Sequence, residues 1–203
     1  MKVFAALGSK GTVMLAPASG LTLAAPTEGA LLERCVSGDQ SAWRDLYRVY
    51  YPVAAAFLRK LGVKERELDD ATQEVFVQLF RYLPRFRGDA QLKTWLFKLC
   101  TTQARRARRW RALSGALQRW LSHEEPLTGL ELSESAARQR VQRSLDSLND
   151  GERLVLVLYE FEGLSGEEIA VVAGCPVATV WRRLHYARRR FSESLGVSSE
   201  AQS

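Results

Sequence analysis

The stretch SGEEIAVVAGCPVATVWRRLHYARRRFSE, residues 165–193, decides the fold of the C-terminal part of this chain. Ser165 followed by Glu168 has the spacing of a capping box, so a helix is expected to begin near Gly166. Gly174 supplies the backbone freedom for a sharp turn, and Pro176 suits the opening turn of a second helix. The pattern predicts two short helices joined by a turn, which is typical of a helix-turn-helix.

The second of these helices has an apolar face and a basic face. Its apolar residues recur every three or four positions, at Val177, Val180, Leu184, Ala187 and Phe191. The other side carries Trp181, Arg182, Arg183, His185, Tyr186, Arg188, Arg189 and Arg190. Basic helical faces are more often solvated than bound to a partner. Within a helix-turn-helix, however, this face favours the interpretation as a DNA-binding surface.

Charge is unevenly distributed over the 203 residues, whose net charge is +6. Residues 98–119 contain arginines, a lysine and no acid, whereas residues 65–74 contain five carboxylates. This separation predicts one surface for a polyanion and another for a different partner. The apolar share of 46% predicts a globular protein rather than a disordered one.

The N-terminal segment, residues 1–30, is rich in small residues and is expected to be a flexible tail. Its apolar patch is interrupted from Gly8 to Gly11, which is too early for a secretory signal, and Met14 offers a second candidate start. No apolar run approaches the roughly 18 residues of a membrane span. Three cysteines and two histidines lack metal-ligand spacing, so we expect no metal, no cofactor, no disulfide and a reducing cytoplasm.

Helical periodicity continues through the rest of the chain, and no strand pattern appears. Asp39 is placed to cap a long helix that ends at Gly62, and apolar residues of this helix and the next are expected to form a core. Those expected core residues include the aromatic side chains Trp43, Tyr47, Tyr50, Phe57, Phe76 and Phe80. In the helix around Trp95, the residues after Cys100, including Thr101 and Gln103, are expected to face solvent. The fold class predicted is all-α.

Five stretches resemble those of the extracytoplasmic-function (ECF) sigma factors, a family of bacterial transcription initiation factors. In chain order they are GDQSAWRDLYRVYYP, LDDATQEVFVQLFRYLPRF, TWLFKLC, SLDSLNDGERLVLVLYEFEGLSGEEIA and ATVWRRLHYARRRF. The resemblance implies two small helical domains joined by a flexible linker. It assigns residues 31–112 to a region 2 bundle, 113–134 to the linker and 135–196 to a region 4 helix-turn-helix, with tails at 1–30 and 197–203.

The resemblance also implies three functional surfaces. Region 2 of the family binds the largest-subunit coiled coil of core RNA polymerase, and the matching residues here are Asp70, Gln73 and Glu74. A second contact of the family, to the polymerase flap, is expected as well. Region 2 also melts the minus-ten element, flipping a base into a pocket that here corresponds to Phe86 to Leu92. The matching strand-track residues are Arg87, Asp89, Lys93, Arg105, Arg106, Arg108 and Arg109.

Region 4 of the family reads the minus-thirty-five element in the major groove. The matching residues are Thr179, Trp181, Arg182, Arg183, His185, Tyr186 and Arg189. The family is usually restrained by an anti-sigma factor, so such a partner is expected in addition to polymerase and promoter DNA. This chain departs from the family pattern at Thr102 and Arg106, where Asn and Asp are common, so its minus-ten base preference does not carry over.

Two other classes of protein share some of these sequence features. A helix-turn-helix regulator with an N-terminal dimerisation domain is the alternative, although no long coiled-coil seam is present. An enzyme has little support, because the sequence has no phosphate-loop signature and no nucleophile beside a base.

Overall fold

The structure is a computed structural model that describes residues 28–85, 91–121 and 136–196; for 114–121 and 136–137 it describes the backbone alone. Every regular element within these ranges is helical: α1 (Glu28–Val36), α2 (Gln40–Lys60), α3 (Glu65–Tyr82), α4 (Leu92–Leu121), α5 (Ala136–Asp146), α6 (Asp150–Leu156), α7 (Gly166–Ala173) and α8 (Val177–Leu195). A 3-10 turn follows α3, and a π-helical turn, Val157–Phe161, follows α6. The all-α prediction is thus confirmed for the described part of the chain.

Several sequence predictions fall outside the described residues. They concern residues 1–27 of the predicted N-terminal tail, the tail at 197–203, the second start at Met14, residues 122–134 of the linker, and residues 86–90, which hold Arg87, Asp89 and most of the predicted base pocket. The last three residues of the predicted N-terminal tail, 28–30, instead begin α1.

Helices α1 to α4 pack around one apolar core. The carboxylate of Asp39 caps α2 by accepting hydrogen bonds from the backbone N–H groups of Ser41 at 2.8 Å and Ala42 at 3.3 Å. Arg34, at the end of α1, donates to the same carboxylate at 2.6 Å and so ties α1 to α2. These hydrogen bonds, those of Ser41 first, hold the pKa of Asp39 well below its usual range. The deeply buried core residues include Leu46, Phe57, Leu58, Val75, Leu79, Leu92, Leu96 and Phe97.

Helices α5 to α8 form a second group that contains the helix-turn-helix. The predicted capping box is present: the Ser165 N–H donates to Glu168 Oε2 at 2.8 Å, and the Glu168 N–H donates to Ser165 Oγ at 3.3 Å. Gly174 ends α7 in the left-handed conformation, with φ of 65°. Pro176 precedes α8 as its N-cap rather than lying in its first turn. The predicted apolar stripe of α8 is buried at Val180, Leu184, Ala187 and Phe191.

Helix α4 differs from its prediction in length and in burial. It continues to Leu121, nine residues into the segment 113–121 that was predicted to be linker. Thr101 and Gln103 are buried rather than solvent-facing, because α4 contacts α2 and α3 on one side and α7 on the other. The Thr101 hydroxyl is accommodated there by donating to the Phe97 carbonyl at 2.8 Å.

Two aromatic residues that were predicted to be core lie on the surface. Tyr47 and Phe80 are exposed, Phe80 at 63% of its surface. Their rings each lie 4.8 Å from a partner ring, Phe80 against Trp43 and Tyr47 against Phe76. Both residues lie at the margin of the seam between α2 and α3, so one side of each ring packs and the other faces solvent.

No helix in the part of the chain that the structure describes has the length and apolarity to cross a membrane. Among the cysteines, Cys35 and Cys100 are buried and Cys175 is half-buried. Burial raises the pKa of the Cys35 and Cys100 thiols, so both remain protonated at neutral pH.

Candidate polymerase and DNA interfaces

The outer face of α3 is acidic and open. Asp70 and Gln73 are exposed, and Glu74 is partly so. Gln73 Nε2 donates to Asp69 Oδ2 at 2.8 Å, whereas Asp70 has no hydrogen-bond or ion-pair partner within the described ranges. The structure therefore brings the three predicted polymerase-contacting residues together on one surface. Carboxylates held in this way suit a partner that presents arginines.

An exposed apolar patch lies beside this acidic face. It consists of Tyr47 on α2 and of Val77 and Phe80 on α3. The Tyr51 hydroxyl donates to Asp69 at the junction of the patch with the acidic face. The sequence interpretation missed this patch. The one available signal was the width of the apolar stripe on α3, which is too broad for every member to face the same core.

The arginines of α4 fall into two groups. Arg105, Arg106 and Arg109 are exposed, and Arg106 Nη1 lies 3.9 Å from Glu74 Oε1. Arg108 is only 24% exposed: it donates to the Leu61 carbonyl at 2.7 Å and pairs with Asp150. Of the four predicted strand-track arginines on α4, three are therefore open to solvent and one is already engaged by the chain itself.

Arg108 belongs to a cluster of cations between the two groups of helices. Arg153, on α6, is 5% exposed and donates to the carbonyls of Leu145 at 2.7 Å and Leu61 at 3.2 Å. Arg111 donates to the Gly62 carbonyl at 3.0 Å. Burial, followed by the nearby charges of Arg153 and Arg111, lowers the pKa of Arg108 to about 10. The guanidinium of Arg108 remains charged at neutral pH.

A second contact between the two groups is centred on Glu162. Its side chain is 10% exposed and accepts from Lys60 Nζ at 2.7 Å, and Lys93 Nζ lies 3.6 Å away. Lys93 is another predicted strand-track residue. Two acids of the C-terminal group, Asp150 and Glu162, thus contact two cations that the sequence assigned to DNA.

The outward face of α8 carries four of its predicted DNA contacts. Arg182 and His185 are exposed and have no acidic partner within the described residues. The Tyr186 ring lies 5.5 Å from His185, edge to face, and the Arg189 guanidinium lies 5.6 Å from the Tyr186 ring. Arg189 also lies 3.7 Å from Glu193. This surface offers donors and flat rings of the kind that read base edges in a major groove.

The other three predicted contacts on α8 lie toward its flanks. Trp181 is 47% exposed and packs edge to face on Tyr159 at 5.7 Å. Arg183 lies on the opposite flank, where its Nη1 is 3.6 Å from Cys175 Sγ. Thr179 is half-buried. Only part of the predicted set therefore points outward.

Comparisons with known proteins agree with this arrangement. The family model described as Sigma-70 region 2 matches residues 46–113, and that described as Sigma-70, region 4 matches residues 138–191. The ECF RNA polymerase sigma-E factor of Escherichia coli (strain K12) is 35% identical over 178 residues, which cover 80% of this chain and 91% of that protein. The RNA polymerase sigma-H factor of Pseudomonas aeruginosa is 30% identical over 177 residues, covering 81% and 92%.

Solved structures of similar fold are also sigma factors in complexes. The sigma factor RpoE of Bartonella quintana, crystallised with the anti-sigma factor NepR, superposes with a TM-score of 0.65 at 23% identity, covering 77% of this chain and 98% of that one. CnrH, solved with the cytosolic domain of CnrY, gives a TM-score of 0.63 at 27% identity, covering 83% and 97%. The two matched regions and the identity and coverage of these relatives show the family. The chain belongs to the ECF family of RNA polymerase sigma factors, which are non-enzymatic subunits that direct promoter-specific initiation of transcription.

Proposed function

We propose that this sigma factor binds core RNA polymerase through Asp70, Gln73 and Glu74 on α3. The observation that carries this proposal is that the three side chains share the outer face of α3, where Asp70 and Gln73 are exposed and Glu74, 3.9 Å from Arg106, is partly exposed. The partner surface is the largest-subunit coiled coil, and the flap is expected to contact the C-terminal region. The neighbouring patch of Tyr47, Val77 and Phe80 adds apolar area of the kind found at the buried centre of protein interfaces.

DNA is contacted by α4 and α8 in this proposal. Arg105, Arg106 and Arg109 follow the phosphates of the minus-ten strand, and Lys93 and Arg108 join them once their contacts with Glu162 and Asp150 are broken. The outward side of α8 between residues 179 and 189 faces the minus-thirty-five element, with Arg182, His185 and Tyr186 outermost. We assign residues 31–112 to region 2 and 135–196 to region 4, joined by 113–134, and the two family matches support this division.

We also propose that an anti-sigma factor restrains this chain, as NepR binds RpoE in a protein of the same fold. Such a factor would block transcription and compete with core polymerase for this chain. Cross-linking in the native cell that recovers polymerase subunits alone would contradict the proposal. We place the sigma factor itself in the cytoplasm, where it would meet polymerase and promoter DNA. Subcellular fractionation tests that placement.

The polymerase assignment is tested by the double charge reversal Asp70→Arg with Glu74→Arg. Placing two cations opposite a basic partner should lower co-purification with core polymerase at least about 10-fold, because like charges across an interface repel. The matched control reverses two exposed acids elsewhere in region 2, Glu33→Arg with Asp45→Arg. Unchanged co-purification of the first variant, with helical circular dichroism intact in both, would refute the assignment.

A further inference from the structure

Both flanks of the recognition helix α8 rest on glycines. On one flank, the Trp181 indole lies directly against Gly166, the first residue of α7. A Cβ added at Gly166 would lie 2.7 Å from Trp181 Cζ2 and 3.1 Å from Cε2. On the other flank, the Arg183 guanidinium lies over Gly151, where an added Cβ would be 3.1 Å from Arg183 Cζ.

The glycine at position 166 is explained by the lack of room for a side chain there, and not by its backbone conformation. Gly166 is the first residue of α7 and is not among the described glycines with positive φ. Its backbone conformation is therefore one that an alanine adopts without strain. A separation of 2.7 Å is shorter than any normal contact of a methyl group with a ring, so the indole would have to move to admit that alanine. The fit between α7 and α8 therefore depends on this pair.

The indole is held from a second direction by the π-helical turn before α7. Trp181 meets the Tyr159 ring edge to face, and the Arg188 guanidinium lies 5.0 Å from the same ring. Arg188 Nη2 also pairs with Glu160 Oε1 at 2.6 Å. Trp181 is thus fixed between α7 and the π-helical turn, whereas Arg182 and His185 remain open to solvent.

We propose that Trp181 is a positioning residue, which sets the angle of α8 on α7 and thereby the placement of Arg182 and His185 against promoter DNA. The inference rests on the proposed function of α8 as the reader of the upstream element. A positioning role differs from a role in which Trp181 itself contacts a base. A reader influences the base at one position, whereas a positioning residue influences every position that its neighbours read.

The test is promoter selection by the full-length chain with purified bacterial core polymerase, on templates randomised around minus thirty-five. In Gly166→Ala the displaced indole should tilt α8, shift the selected bases at more than one position, and lower transcription from the wild-type optimum by about 10-fold, within the range of one lost bidentate contact. Trp181→Ala should also shift several positions. Adding Gly166→Ala to Trp181→Ala should then change nothing further, because the obstructing ring is gone.

Gly151→Ala is the matched control, since its neighbour is the far end of a flexible side chain that can move aside. Its transcription should stay within about 2-fold of wild type, because the long Arg183 side chain can move without shifting the backbone of α8. The proposal is overturned if Trp181→Ala loses preference at a single base position, or if Gly166→Ala is silent. A Gly166→Ala protein that fails to fold supports the proposal if the double variant folds, and overturns it if the double variant also fails. A wild-type chain that selects no upstream sequence would instead contradict the function proposed for α8.

Discussion

Gly62 lies where regions 2 and 4 contact each other. It follows α2 with φ of +85°, in the left-handed region where a side chain is strained. A Cβ there would collide with Arg153 Nη1, because the buried guanidinium of Arg153 reaches across to the Leu61 carbonyl. The absence of a side chain at position 62 therefore allows a cation from region 4 to bond to the end of α2.

We predict that Gly62→Ala destabilises the protein by more than the backbone strain alone. The left-handed conformation costs an alanine about 1–2 kcal/mol, and the displaced Arg153 would lose buried hydrogen bonds in addition. Gly38→Ala is the control, since Gly38 has φ of +90° with nothing near its missing Cβ. The urea concentration at the midpoint of unfolding should be lower for Gly62→Ala than for Gly38→Ala. Equal midpoints would show that the contact with Arg153 does not contribute to stability.

At the scale of one element, α4 combines three surfaces in a single helix. Leu92, Leu96 and Phe97 bury one side in the core, Arg108 faces region 4, and Arg105 and Arg109 face solvent. The solvent-facing arginines alone are free to meet DNA in this arrangement. The exposed and the engaged arginines of α4 should therefore differ in their contribution to binding.

We predict that Arg105→Gln with Arg109→Gln weakens binding of the polymerase complex to minus-ten single strands and flattens its salt dependence. Each lost phosphate contact removes about 0.7 from the slope of log K against log salt for single strands, so two contacts remove about 1.4. Fluorescence anisotropy at a series of salt concentrations measures the slope. Arg44→Gln with Arg48→Gln, exposed on α2, should leave it unchanged; an equal decrease in both variants would indicate a non-specific charge effect.

At the scale of the whole molecule, regions 2 and 4 pack against each other through the contact of α4 with α7 and through charged pairs. Glu162 accepts from Lys60, 102 residues earlier in the chain, and Asp150 pairs with Arg108. Lys93, which also faces Glu162, and Arg108 are the two cations of these pairs that the proposed function assigns to DNA. In that proposal, binding of DNA and packing of the two regions are alternatives for these two side chains.

We predict that Glu162→Lys separates the two regions, because a third cation would then face Lys60 and Lys93. Small-angle scattering should show a larger radius of gyration, with helical content unchanged. Glu160→Lys is the control: it breaks the pair with Arg188, which lies within region 4. An unchanged radius in Glu162→Lys, or an equal increase in both variants, would show that Glu162 does not hold the regions together.

Local patterns predicted much of this architecture correctly. The cap at Asp39, the capping box at Ser165 and the turn at Gly174 depend on groups within a few residues of each other, so their spacing is sufficient. The helix-turn-helix follows from the same kind of information. The positions of the polymerase and DNA contacts, by contrast, came from resemblance and stay predictions.

The wrong predictions of burial share one cause. Periodicity shows which face of a helix is apolar, but it does not show how many neighbouring helices pack against that helix. Thr101 and Gln103 are buried because α4 has neighbours on more than one side, with α2 and α3 on one and α7 on another. Phe80 is exposed because the stripe on α3 is wider than the surface that α2 covers.

By itself, the sequence determined an all-helical chain with a C-terminal helix-turn-helix and separated acidic and basic surfaces, since these follow from short-range spacing and composition. Only the tertiary structure decided that Arg108 and Lys93 meet acids of region 4 and that Trp181 rests on Gly166. These contacts join distant segments, whose pairing depends on the packing of whole helices and leaves no local pattern.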